Sequence, residues 1–228
     1  MRALLWKEWR EGWPTVLAGA VAMGGLWLVW GWSDPRERTW QAWRTWLIWS
    51  RVVLLVAAAL LGGRAFASEM EAGTEGFLLA LPARRGACWS AKVVPVLLLL
   101  VLLAVLPAWF EMEPWVRRSY PVGLLMPAIG CRWALLAVAA GSLSLFFSTV
   151  IPRTITAILA TLATAPLAAF LSGYSIEHTG RDYLDFGEHG ELLGFRGGAL
   201  YEMALLGAIA ILALLTSRWI YGRKSVPR

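Results

Sequence analysis

Charge is scarce in this chain: of 228 residues only 16% are Asp, Glu, Lys or Arg, against about 25% in an ordinary soluble domain. That scarcity excludes a fully hydrated globular surface. Cysteine is nearly absent, with only Cys88 and Cys131, which excludes a disulfide-stapled fold. Histidine is limited to His178 and His189, flanking an acidic stretch with Asp182, Asp185, Glu188 and Glu191. Histidines beside acids in a loop are ordinarily solvated, and no metal site is assigned to them. No G-x-x-x-x-G-K-[ST] nucleotide loop occurs, nor any H-E-x-x-H, C-x-x-C or G-x-S-x-G. These absences leave no catalytic residue set, so the chain is not expected to be an enzyme. Two halves without self-similarity, and no acid in mid-span, argue against a secondary transporter. The +6 net charge is spread over segment flanks rather than gathered in one patch, which argues against a nucleic-acid partner.

What is abundant is apolar length. Hydrophobic residues make up 58%, the mean hydropathy is +0.59, and they fall in long unbroken blocks. This composition defines an all-α integral membrane protein. Fifteen Trp residues, many near block ends, suit an aromatic belt at the membrane surface. A single transmembrane domain over 1–228 is expected, with six spans at about 15–32, 46–68, 93–110, 124–151, 154–172 and 199–217. The first 13 residues read as an amphipathic helix in the headgroup plane, with Leu5, Trp9 and Trp13 on one side and Lys7, Glu8, Arg10 and Glu11 on the other, ending at Pro14. No small-residue cleavage site follows the first block, so a cleaved signal peptide is not expected. Pro121–Cys131 is apolar but short, and reads as a re-entrant or interfacial lead into the fourth span. A polar outer loop is expected over 173–198.

Cations orient the chain. With both termini inside, more than half of the 21 Lys and Arg residues lie on the inner side, against a third of the 15 acids. Arg84, Arg85, Arg218, Arg223 and Lys224 flank span ends, where the positive-inside rule has most weight. Both termini are therefore expected in the cytosol. Cys88 and Cys131 then face opposite sides.

One inner segment stands apart. Residues 66–92 read FASEMEAGTEGFLLALPARRGACWSAK. Glu69, Glu71 and Glu75 are followed by an apolar run from Phe77 to Leu81, then Pro82, Arg84, Arg85 and Lys92. Thr74 suits a helix N-cap and Glu75 a helix N-terminus. Pro82 stops that helix after about two turns. So short a helix is not stable alone in water, and it needs a partner to lie against. Within the spans, Arg51 either lines a polar path or snorkels to the headgroups. Ser142, Ser144 and Ser148 either line such a path or mediate helix packing, and Gly24–Gly25 and Gly62–Gly63 suit close helix approach.

The 66–92 stretch resembles the ABC-2 type family of ABC-transporter permeases, on the strength of Glu69, Glu71, Gly73, Thr74, Leu78, Leu79, Leu81, Pro82, Arg84, Arg85 and Lys92. LLWKEWRE near the N-terminus is similar to the family's interfacial elbow helix, and SLSLFFSTVIPRT to its turn between spans four and five. Gly76 departs from the pattern, which has a second acid or another helix former there. The resemblance implies the permease subunit of an ATP-driven exporter in the cell membrane. It implies a dimer with a second copy or a paralogue, substrate crossing at the dimer interface, and two cytosolic ABC ATPase subunits. ATP and Mg would be held by that partner, not by this chain. Residues 69–88 would be the cytosolic coupling segment, with Phe77, Leu78 and Leu81 in the ATPase groove. Glu69, Glu71, Gly73, Thr74, Glu75, Pro82, Arg84 and Arg85 would frame it. Arg51, Ser142 and Ser144 are the candidate translocation-path residues. The competing expectation is a membrane scaffold or assembly protein that binds a cytosolic partner without transporting.

Overall fold

A computed structural model describes residues 2–31, 40–74, 85–117, 122–164 and 198–223. The described residues form helices and short turns, with no strand among them. The helices are α1 (Arg2–Gly31), α2 (Trp40–Glu71), α3 (Arg85–Arg117), α4 (Val122–Val150), α5 (Thr154–Thr164) and α6 (Gly198–Arg223). All but α5 are long and apolar enough to cross a membrane. Residues 165–172, the rest of the expected fifth span, lie outside the described residues, as does the 173–198 loop up to Gly198.

Length explains the helical choice. The 30 residues of α1 would extend roughly 45 Å at 1.5 Å per residue, more than a hydrocarbon core of about 30 Å. Inside that core only helices or closed barrels satisfy every backbone N–H and C=O. The faces of α3 show what solvent it is built for. Leu99, Leu100, Leu103 and Ala104 are buried, while Val94, Leu98, Leu102, Val105 and Trp109 form an exposed apolar stripe. A stripe of that size on a soluble monomer would be an anomaly; in lipid it is the expected surface. The chain is a multi-pass membrane protein.

Helices α2, α3 and α4 form the centre of the bundle. Helix α1 packs on α2 and α3, and α6 packs on α4 and α3. The carboxyl end of α2, the amino end of α3 and the carboxyl end of α6 meet at one end of the bundle, called here the inner end. Arg85 Nη1 on α3 donates to the Gly222 carbonyl at 2.9 Å, and Trp89 Nε1 donates to Ser217 Oγ at 3.1 Å. At the opposite end Trp27 of α1 stacks on Phe110 of α3, with ring centroids 5.0 Å apart, and Trp46 of α2 meets the same ring edge-on at 5.8 Å. Trp46 is thus a packing residue, 3% exposed, rather than the belt residue its position suggests. Cys88 and Cys131 are free, one near the start of α3 and the other in the first third of α4.

Several boundaries differ from expectation. Helix α1 runs unbroken through Pro14, so residues 2–13 continue the first span instead of forming a separate interfacial helix that ends there. Proline removes one helical N–H bond, but this stretch is packed against the bundle: a Cβ on Gly12 would lie 2.5 Å from Leu99 and 3.3 Å from Leu61. Residues 122–131 are the first turns of α4, not a re-entrant turn, and α3 continues through Arg117 into the expected outer loop.

Glycines 62 and 63 allow close helix approach. A Cβ on Gly62 would stand 2.6 Å from the Ser144 Cβ on α4, and one on Gly63 2.8 Å from Ile158 on α5. Gly24 and Gly25 differ, for nothing lies within 4 Å of a Cβ at either. Gly62→Ala is expected to lower stability by about 1–3 kcal/mol through overpacking. Gly24→Ala should be neutral or add up to about 1 kcal/mol from helix propensity. Unfolding of the detergent-solubilised chain would separate the two; equal effects would contradict the close approach.

Candidate functional site

The inner end gathers the charges of three helices around one buried cation. Helix α2 ends where Gly73 takes a positive φ of 69°, a conformation glycine adopts without a Cβ clash. The Gly73 N–H then donates to the Met70 carbonyl at 3.2 Å and the Thr74 N–H to the Glu69 carbonyl at 3.0 Å. This pair of bonds is a Schellman closure. The Gly-Thr pair therefore terminates α2, and the Thr74 hydroxyl turns back to the Glu69 carbonyl at 3.4 Å.

That closure fixes Glu69 and Glu71 in the last turn of α2, pointing to different neighbours. Glu69 Oε1 is 2.5 Å from Nζ of Lys92 on α3. The same ammonium reaches Glu8 Oε1 of α1 at 3.3 Å and donates to the Ala65 carbonyl at 2.7 Å. The Phe66 ring lies beneath it, 5.4 Å from nitrogen to centroid, close enough for a cation–π attraction. Phe66 in turn packs on Tyr221 of α6 at 5.2 Å. The Lys92 side chain is only 2% exposed, and those of Glu8 and Glu69 12% and 11%. Glu71 faces outward instead, and its Oε2 accepts the Thr154 backbone N–H at 3.1 Å. It thereby caps the first turn of α5. A second pair, Arg64 to Glu11 at 3.0 Å, is exposed.

The sequence-expected residues fall into three groups. Glu69, Glu71, Gly73 and Thr74 come together at the end of α2. Arg85 begins α3 and is tied to the end of α6. Glu75, Phe77, Leu78, Leu81, Pro82 and Arg84 lie outside the described residues. Of the segment expected over 69–88, the outer parts are helical, through Glu71 and from Arg85. The candidate path residues are not adjacent. Ser142 Oγ donates to the Val138 carbonyl at 2.6 Å, one turn back on its own helix. Ser144 Oγ donates to the Ala59 carbonyl of α2 at 3.2 Å and accepts from Thr161 of α5 at 3.3 Å. Both serines are fully buried, with their hydroxyls spent on packing contacts. Arg51 is half-buried and lies eight residues from Ala59, roughly 12 Å along α2.

Two features escaped the sequence reading. Glu8 reads as headgroup-facing and Lys92 as the flank of a loop, yet with Glu69 they form the buried centre of the inner end. At the outer end, Glu111 of α3 pairs with Arg132 of α4 at 3.5 Å and accepts the Trp133 indole N–H at 2.5 Å. Each partner sits at a span boundary, where charge reads as snorkelling until its pair is known.

The profile of the ABC-2 family transporter proteins matches residues 41–189, well over half the chain. The chain belongs to that family, whose members are transmembrane permeases, generally without catalytic activity of their own and generally paired with an ABC ATPase. No curated protein sequence matches the chain.

Removing the shared cation of this cluster leaves two buried carboxylates uncompensated, at a cost of about 3–5 kcal/mol, whereas an exposed pair contributes about 0–1 kcal/mol. Lys92→Met is therefore expected to destabilise the protein strongly and Arg64→Met barely. Detergent unfolding or limited proteolysis would show the order, and comparable losses would contradict the burial of Lys92.

Proposed function

We propose that this chain is the membrane subunit of an ATP-driven exporter in the cell membrane, with six spans and both termini in the cytosol. Two copies, or one copy and a paralogue, move substrate at their shared interface. Two cytosolic ABC ATPase subunits supply ATP and Mg. The chain reads as a machine without a nucleotide loop that takes its energy from a partner. Thr74–Leu81, within the 69–88 coupling segment, is the part that partner grips, with Phe77, Leu78 and Leu81 as the buried contact and the flanking charges setting fit more than affinity. Arg51, Ser142 and Ser144 stay the candidate path residues. The N-terminal turns of α1 take the place of an elbow, continuous with the first span.

One observation carries this reading. The two helices that flank 75–84 end beside residues near both chain ends: α3 begins against Gly222 of α6, and α2 closes beside Glu8 of α1 through their shared lysine. The connection thus leaves the bundle at the end that the cation bias places in the cytosol. Motion applied there enters α2 and α3 as a rigid-body displacement.

The test is reconstitution with the ABC ATPase that co-purifies from the chain's own membranes. Leu78→Asp should insert normally but abolish the stimulated ATP hydrolysis. Stimulation that survives the substitution would overturn the coupling assignment. Failure of any ATPase to co-purify would favour the scaffold reading.

A further inference from the structure

The two carboxylates on Lys92 come from different helices, and the lysine itself from a third. Glu69 lies two residues before the end of α2, and Lys92 seven residues after the start of α3. These are the two roots of the 72–84 connection. Glu8 belongs to α1, which is remote from that connection in the chain. The ammonium is buried, holds Glu69 at 2.5 Å and Glu8 at 3.3 Å, and is further fixed by the Ala65 carbonyl and the Phe66 ring. Water cannot readily replace any of these partners at so enclosed a site, so separating Glu8 from Lys92 would leave charge buried without compensation. The exposed Arg64–Glu11 bridge imposes no such constraint, because solvent takes over when it opens.

We infer that Lys92 is a positioning residue that makes α1 follow the α2–α3 connection, so that displacement of the connection is delivered to α1 through the Glu8–Lys92–Glu69 clamp. This inference rests on the permease reading above and extends it to a residue set inside the membrane body. The apolar contacts of α1 with Leu99 and Leu103 hold it laterally. Gly12, one turn from Glu8, also packs on Leu61 and Leu99, and the clamp adds to this apolar contact a polar tie between the inner turns of α1 and the ends of α2 and α3. Glu71 makes a parallel link from the same turn of α2 to the start of α5, but that contact is exposed.

The test measures nucleotide-driven motion in the complex with the ATPase. Spin labels replace Trp6 of α1, Val94 of α3 and Val150 of α4, all exposed, in a Cys131→Ser background. Distances from Val150 to Trp6 and to Val94 are read with and without trapped ATP. In the otherwise native chain both distances shift. Glu8→Leu leaves Lys92 and Glu69 as a neutral pair, so the bundle folds; the α3 shift persists and the α1 shift is lost. The triple variant Glu8→Gln, Glu69→Gln, Lys92→Met carries no buried charge and gives the same pattern. Glu11→Gln, which breaks only the exposed bridge, retains both shifts. An α1 shift of native size in Glu8→Leu and in the triple variant would overturn the inference while leaving the permease reading intact. Absence of any shift in the native complex would overturn both.

Discussion

A lysine ammonium sealed inside a membrane bundle is the constraint on which the inner end depends. A buried charge is tolerable only when paired and hydrogen-bonded, and Lys92 obtains two carboxylates, a carbonyl and an aromatic face from α1 and α2. Each of these partners must arrive from a fixed direction. The Schellman closure at Gly73 sets the last turn of α2 and with it Glu69. The unbroken course of α1 through Pro14 sets Glu8. In lipid the apolar faces of helices gain little by meeting one another, so such polar contacts and close packing decide which helices associate.

Close packing takes over deeper in the bundle. Gly62 and Gly63 bring the α2 backbone against Ser144 and Ile158, and Ser144 joins Ala59 of α2 and Thr161 of α5. One glycine pair and a few hydroxyls thus hold α2, α4 and α5 together where no charge is present. The two devices divide the bundle: charge at the inner end, small residues in the middle. At the outer end stacked aromatics and the Glu111–Arg132 pair complete it.

Much of this was legible in the residues. Long apolar blocks specify membrane helices because the bilayer leaves the backbone few other options, and the family signature around Glu69, Gly73 and Thr74 lies in the part of the chain that the family profile covers. Pairings between distant charges were not legible. Glu8 on an amphipathic pattern and Lys92 at a span flank each have an ordinary surface explanation, and only their juxtaposition across three helices makes them a buried set. Thr74 suits a helix N-cap by its residue type, and the same Gly73–Thr74 pair closes the preceding helix; glycine and threonine serve both ends, so local chemistry alone does not reveal the closure of α2. Gly24–Gly25 and Gly62–Gly63 are alike in sequence, yet only the second pair meets a neighbour, since which face of a helix turns inward is set by the whole bundle.

The account joins a fixed inner end to an external source of motion, and it requires the α2–α3 connection to share a membrane side with the chain ends. Single cysteines at Thr74 and at Gly222, both exposed, placed in a Cys131→Ser background, test this with a membrane-impermeant thiol reagent applied to sealed vesicles of either orientation. The account predicts that both positions react only where the cytosolic face is outward. Reaction of the two from opposite faces, or of both from the external face alone, would contradict it.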